Sequence, residues 1–166
     1  VNDLLDFSRL NEGRLEMHPA AVDMAALVQA VAASLQPQCL EKALDLRVDV
    51  EGGAPRAWAD PQRVTQVMTN LVSNALRYGH RAELHAKRGV TTMQITIDDD
   101  GPGIPPDKYE DVFRPFYRLD ESRNVDTGGV GLGLTIARDV ARSHGGDVAL
   151  GPSPLGGLRV IVRIPI

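Results

Sequence analysis

The chain has 166 residues, 43% of them hydrophobic, with a formal net charge of -4 and one cysteine. That length suits one ordinary domain with a small appendage and a real core, and the acidic balance with scattered basic residues speaks against a nucleic-acid partner. Cys39 has no second cysteine to pair with, which fits a reducing compartment, and no stretch approaches the roughly 20 apolar residues that span a bilayer, so no direct membrane contact is expected.

Leu4, Leu5, Phe7 and Leu10 keep helical spacing among polar residues, predicting a short amphipathic helix that Gly13 ends. Because the pattern opens in mid-helix at Val1, the chain is expected to be part of something longer. His18-Pro19-Ala20 breaks the pattern, Asp23 can cap a second helix running to about Gln36, and Pro37 is expected to close it. Leu44 to Val50 alternates as a half-buried strand does, Gly52-Gly53 turns the chain, and Trp58 is expected on a short second strand. Asp60-Pro61 starts a long helix, since a capping acid precedes proline at the first helical position. Its apolar stripe of Val64, Val67, Met68, Leu71, Val72, Ala75 and Leu76 continues until Gly79. Strands are expected at Ala82 to Ala86 and Thr92 to Asp98, followed by the Gly101-Pro102-Gly103 turn. Pro105 to Asp126 reads as a short helical turn and then a mobile segment, Gly131 to His144 as a helix ended by Gly145-Gly146, and Asp147 to Leu150 with Leu158 to Ile164 as a hairpin around Gly156-Gly157. Helices and strands do not alternate regularly, which favours an α+β sandwich over a doubly wound sheet.

Three stretches carry chemistry. Asn70 and Asn74 stack their amides on one helix face, and an amide oxygen suits a hard cation such as Mg²⁺ whose octahedron phosphates and water complete. Asp99 follows a strand and precedes a glycine turn, where a carboxylate can accept the amine of a purine and Gly101 and Gly103 let a base approach the backbone. Gly129, Gly131 and Gly133 lead into a helix, whose first amides can meet phosphates. That run is no Walker loop, because no Lys-Ser or Lys-Thr follows it, and the glycine spacing is wrong for a dinucleotide fingerprint. Each stretch also has an ordinary reading as helix surface, solvated acidic turn or loop; their conjunction describes a nucleotide site.

The stretches Asn70-Leu71-Val72-Ser73-Asn74-Ala75, Asp99-Asp100-Gly101-Pro102-Gly103-Ile104, Phe113-Arg114-Pro115-Phe116 and Gly129-Val130-Gly131-Leu132-Gly133-Leu134 resemble, in order, the four boxes of the ATP-binding domain of bacterial sensor histidine kinases. His144-Gly145-Gly146 and Leu155-Gly156-Gly157-Leu158 resemble that family's closing elements, and residues 1–10 resemble the end of the second helix of its dimerisation and phosphoacceptor domain. The resemblance implies a two-layer α/β sandwich of the Bergerat type, with residues 1–13 from the dimerisation domain, 14–22 a linker and 23–166 the ATP-binding kinase domain. It implies ATP and Mg²⁺ as cofactors, with Asn74 on the metal, Asn70 beside the phosphates with a catalytic role, Arg77 at a phosphate and Tyr78 near adenine and sugar. Asp99 would take the adenine amine, Gly101, Gly103 and Ile104 would shape the base pocket, and Gly129, Gly131, Leu132 and Gly133 would line the triphosphate and hinge a lid. Arg118, or failing it Arg123, would reach the γ-phosphate, and Phe113 and Phe116 would anchor the lid.

The family's activity would be transfer of the γ-phosphoryl group of ATP to a histidine in two-component signalling. None of His18, His80, His85 or His144 stands in the matching acidic context, so no phosphoacceptor is assigned here. The implied partners are the phosphoacceptor helices of the full-length homodimer and a cognate response regulator, in the cytoplasm, with anchoring of the parent in the bacterial inner membrane left open. Arg77 departs from the lysine common at its place, which keeps the charge but alters its reach. Alternatives are a serine kinase of the same superfamily, an ATPase, and a nucleotide-sensing module without transfer. Against the ATPase, the gyrase-type relatives carry a water-activating glutamate where this chain has Asn70, and an asparagine cannot act as that base.

Overall fold

The computed structural model describes residues 2–52, 56–118 and 131–166. The expected mixed α/β sandwich is present. A five-stranded sheet has the order β2 (Asp45–Glu51), β4 (Arg81–Arg88), β5 (Thr92–Asp99), β7 (Leu158–Pro165), β6 (Asp147–Pro152). β2 runs parallel to β4 and the other neighbours are antiparallel. Alternation along these strands sends Leu84, Ile95, Ile97, Val160 and Val162 to one face, all at most 5% exposed. Helices α2 (Met24–Glu41), α3 (Pro61–Tyr78) and α4 (Gly133–Ser143) lay their apolar stripes on that face in one core. Each fully buried large residue there, such as Met68, Leu71 or Ile136, contributes roughly 1.5–3 kcal/mol of transfer free energy.

Helix α1 (Asn2–Asn11) ends as its sequence predicts: Gly13 adopts φ 65° and the Arg14 N–H reaches the Arg9 carbonyl at 2.8 Å. One strand goes beyond the sequence-based expectation and one helix end is corrected. Strand β1 (Ala20–Asp23) pairs antiparallel with β3 (Arg56–Ala59) to form a separate two-stranded sheet. Four residues with no alternation carry no strand signal of their own; their pairing comes from β3. Pro37 does not close α2, which continues to Glu41. Its ring and missing N–H act on the carbonyl of Ala33, and both residues lie on the exposed side of the helix. The buried stripe of Val28, Val31, Leu35 and Cys39 runs on past it on the other side. Burial of Leu35 and Cys39 thereby offsets the roughly 3 kcal/mol that proline costs in a helix interior.

Asp60 caps α3 as expected, its Oδ1 accepting from the N–H groups of Gln62 (3.0 Å) and Arg63 (3.1 Å), with Pro61 at the first turn. The polar stretch after β5 condenses into two 3₁₀ turns, Pro106–Lys108 and Asp111–Phe113. No helix among the described residues is long and apolar enough to cross a membrane.

Candidate active site

A cleft of about 490 Å³ opens between the C-terminal half of α3, the end of β5 and the start of α4. From α3 it receives Asn74, Arg77 and Tyr78; from the end of β5 and the turn beyond it, Asp99, Gly103 and Ile104; from the opposite rim, Arg118, Gly131 and Gly133. Its floor is apolar, with Leu71, Ile97 and Val160 beneath, which suits a flat base. Tyr78 is half exposed at the rim, so it is a wall of the cleft and not the core aromatic that its type suggests.

Asp99 is the most constrained of these groups. It is 7% exposed, and its Oδ1 accepts from the N–H groups of Gly101 (2.9 Å) and Leu158 (3.0 Å). Those bonds fix the carboxylate plane and leave Oδ2 to meet a donor in the cleft. Burial pushes its pKa up, the backbone N–H groups of Leu158 and Gly101 work against that, and the charges of Asp100 and Asp98 add to it. The three consecutive aspartates therefore have separate tasks. Asp98 points to the other face of the sheet, 1% exposed and gripped bidentately by Arg159 at 2.7 and 2.8 Å. Asp100 accepts from the N–H groups of His80 (2.8 Å) and Arg81 (2.9 Å) and holds the start of β4; the Arg81 amide above all keeps its carboxyl below the usual range.

Sequence reasoning missed Gly157 as a site residue. A Cβ there would lie 2.1 Å from Asp99 Oδ1, and its N–H donates to the Asp99 carbonyl at 3.1 Å. Only glycine lets the β6–β7 hairpin close on the acid. The Gly156-Gly157 pair in the sequence was the available signal, yet it reads equally well as an ordinary hairpin turn.

On the phosphate side, α4 starts at Gly133 with Leu132 as N-cap and no side-chain cap, so its first amides remain available. Gly131 adopts φ 78°, and a Cβ there would lie 2.9 Å from the backbone of Phe116. A Cβ on Gly133 would come within 3.3 Å of Asn74 Nδ2. The amide of Asn74 thus stands directly at the open helix end. Asn70 lies one turn away on α3 with its Nδ2 buried and without a hydrogen-bond partner among the described residues. An orphaned amide, an uncapped helix end and a neutral oxygen donor fit a phosphate chain with a hard cation.

Some expectations land beside the cleft. Gly101 supports Asp99 through its amide rather than lining the wall. The side chain of Leu132 is wholly buried in the core, leaving its backbone to start α4. Gly129 and Arg123 lie outside the described residues. Phe113 is anchored: it is 8% exposed, lies 4.1 Å beneath the Arg138 guanidinium, and its carbonyl accepts from Thr135 Oγ1 at 2.7 Å. Phe116 is half exposed, makes an edge-to-face contact with Phe7 of α1 at 5.7 Å, and sits at φ 63° with its N–H on the Gly131 carbonyl.

Residues 59–166 match the family described as histidine kinase-, DNA gyrase B-, and HSP90-like ATPase. The chain belongs to that family. Its relatives are sensor histidine kinases: it is 35% identical to the sensor histidine kinase CpxA of Escherichia coli over 100% of this chain and 36% of that protein. The sensor protein RstB of the same organism is also 35% identical, over 100% of this chain and 38% of its own length. The chain thus spans little more than a third of these curated relatives. Among solved structures, full-length ShkA in complex with AMPPNP superposes with TM-score 0.87 at 29% identity, covering 99% of this chain and 34% of that one. The catalytic domain of the histidine kinase ThkA does so with TM-score 0.77 at 25% identity, covering 91% of this chain and 96% of that one.

Proposed function

We propose that this chain is the catalytic part of a sensor histidine kinase that passes the γ-phosphoryl group of ATP to a histidine of its own dimerisation domain. The observation that carries the reading is the convergence of Asn74, Asp99 and the Gly131–Gly133 segment on one cleft. Phosphoryl transfer asks an enzyme mainly for positioning and charge neutralisation. Asp99 would fix adenine, the α4 amides and Arg77 would hold phosphates, and Asn70 and Asn74 would face the phosphate chain, with Arg118 set to steady the γ-phosphate. Asn74 would hold Mg²⁺, whose charge would neutralise the phosphate oxygens. The attacking histidine nitrogen forms the new bond to phosphorus as the bond to the ADP oxygen breaks.

Within this reading residues 1–13 belong to the dimerisation domain, 14–22 to a connector and 23–166 to the kinase domain, and the setting is cytoplasmic. A response regulator would then take the phosphoryl group from the histidine. ThkA has been crystallised in complex with the response regulator TrrA, a pairing that the same chemistry would require here. Asn70 in place of an acidic base disfavours the ATPase alternative, and α1 docked on the domain favours histidine over serine transfer.

The test supplies γ-labelled ATP to this chain mixed with the complete phosphoacceptor helix pair of the parent. An acid-labile, alkali-stable label on the helix pair is expected, with only slow ATP turnover by the chain alone. A folded, nucleotide-binding chain that never labels the helices, or that turns over ATP rapidly by itself, overturns the proposal.

A further inference from the structure

His144 makes two directed hydrogen bonds at the far end of the helix pair from the cleft. Its Nε2 lies 3.0 Å from the backbone N of Asp60, and its Nδ1 lies 2.8 Å from the Val140 carbonyl. A backbone N–H can only donate and a carbonyl can only accept, so Nε2 carries the lone pair and Nδ1 the proton. The imidazole thereby ties the C-terminal end of α4 to the N-cap residue of α3. At the opposite end of the same antiparallel pair, Gly133 stands against Asn74.

α3 and α4 share the core, with Met68, Leu71, Val72 and Ala75 of one and Ile136, Ala137, Val140 and Ala141 of the other buried; to that non-directional packing His144 adds a directed constraint, because a hydrogen bond is lost within an ångström or so. The tie is itself well anchored. Asp60 is 2% exposed, its Oδ1 caps α3 and its Oδ2 accepts from the His18 N–H at 2.8 Å. A displacement of α4 at His144 is therefore carried along one rigid helix of 11 residues to the amides of Gly133.

We propose that His144 is a positioning residue for the nucleotide's phosphates, holding α4 in register on α3 so that the helix end and the Asn74 amide meet one phosphate chain. This rests on the nucleotide reading above and adds a residue that touches no part of the ligand. Adenine recognition at Asp99 belongs to β5 and the β6–β7 hairpin, so it does not depend on this register.

The experiment measures binding of ATP and of adenosine, with Mg²⁺ present, to the parent chain and to His144→Leu and His144→Gln by titration calorimetry. His144→Leu removes the acceptor for the Asp60 N–H; ATP affinity is expected to fall about tenfold while adenosine affinity stays within about twofold. His144→Gln offers an amide oxygen at nearly the place of Nε2, and is expected to recover most of the ATP affinity. Equal losses for ATP and adenosine, no loss for either, or failure of glutamine to rescue would overturn the proposal, as would a leucine variant that does not fold, since the tie would then be structural alone. A parent chain that binds neither ligand would sink the nucleotide reading itself, a result distinguishable from all of these.

Discussion

Asp99 shows how a side chain proposed to read the base can oppose the stability of the fold that holds it. Its carboxylate is buried with two other acids adjacent in sequence, and its pKa is raised by burial despite two backbone donors. An acid with a raised folded pKa binds its proton more tightly in the native than in the unfolded state. The stability it contributes is present at low pH and is lost as the pH rises through the folded pKa. Under the proposed function nucleotide binding runs the other way, because only the ionised Oδ2 would be purely an acceptor for the adenine amine. ATP affinity is thus expected to decline on acidification at a higher pH than an ordinary aspartate would give, and calorimetric titrations across a pH series would show it. Asp99→Asn keeps an oxygen for the Gly101 and Leu158 amides but turns the other atom into a donor. It should bind ATP about 10- to 100-fold more weakly while the nucleotide-free protein melts no lower than the parent at neutral pH; unchanged affinity would remove Asp99 from the base site. Asn74→Ala separates the metal from the base: affinity for ATP with Mg²⁺ should drop about tenfold, with little change when EDTA is present. An equal loss under both conditions would assign Asn74 to the phosphates instead. The identities of Asp99 and Asn74 were legible in the sequence through the glycine turn and the four-residue spacing. Their supports were not, since Leu158 lies 59 positions from Asp99 and Asn74 meets Gly133 only through packing.

Among the elements, legibility followed periodicity. The stripe of α3 and the alternation of β4, β5 and β7 state both type and orientation, because one buried face dictates the pattern. β1 was invisible because a four-residue strand owes its existence to its partner, and α2 outran Pro37 because proline matters less on a solvent face. The end of α2 holds a second surprise. Ala43 adopts φ 54°, the left-handed conformation usual for glycine, while the Leu44 N–H closes back on the Cys39 carbonyl at 2.8 Å. The turn is made, with a Cβ in a region that costs an L-residue roughly 1–2 kcal/mol. Glycine would relieve that strain at a cost of about 0.5–1 kcal/mol in unfolded-chain entropy. Ala43→Gly is therefore expected to stabilise the protein by about 0.5–1 kcal/mol, read as a rise of roughly 1–4 °C in Tm. A lower Tm would mean that the unfolded-chain entropy of glycine outweighs the relief of backbone strain. Nucleotide affinity should not move, as α2 contributes nothing to the cleft.

For the whole molecule the question is how firmly α1 belongs to the body that binds ATP. At ten residues it is too short to hold its own shape in water, so tertiary contacts keep it helical. Two kinds are present. Phe7 and Leu10 pack against the core, Phe7 also meeting Phe116 beside the cleft. Asp6, 9% exposed, accepts from Arg63 Nη1 at 3.2 Å and from Gln66 Nε2 at 2.6 Å, both on α3. A largely buried, doubly bonded carboxylate contributes direction more than net stability, yet removing it strands its partners. With Asp6→Ala, the Arg63 guanidinium is left, among the described residues, with its bond to Gln66 Oε1 at 3.1 Å, and the Gln66 amide loses its acceptor. The loss is expected to be about 2–3 kcal/mol, confined to α1 because the sheet and the other helices form their own core. Hydrogen exchange reads that localisation: amides of α1 should exchange about 30- to 150-fold faster while those of β4 and β5 keep their protection. ATP affinity should remain within about twofold, since no α1 residue lines the cleft. If α1 exchange is unchanged, Phe7 and Leu10 suffice to dock it and the polar clasp only sets its angle. If ATP affinity falls as well, the Phe7–Phe116 contact carries the position of α1 into the cleft rim, and the amphipathic helix is mechanically part of the site.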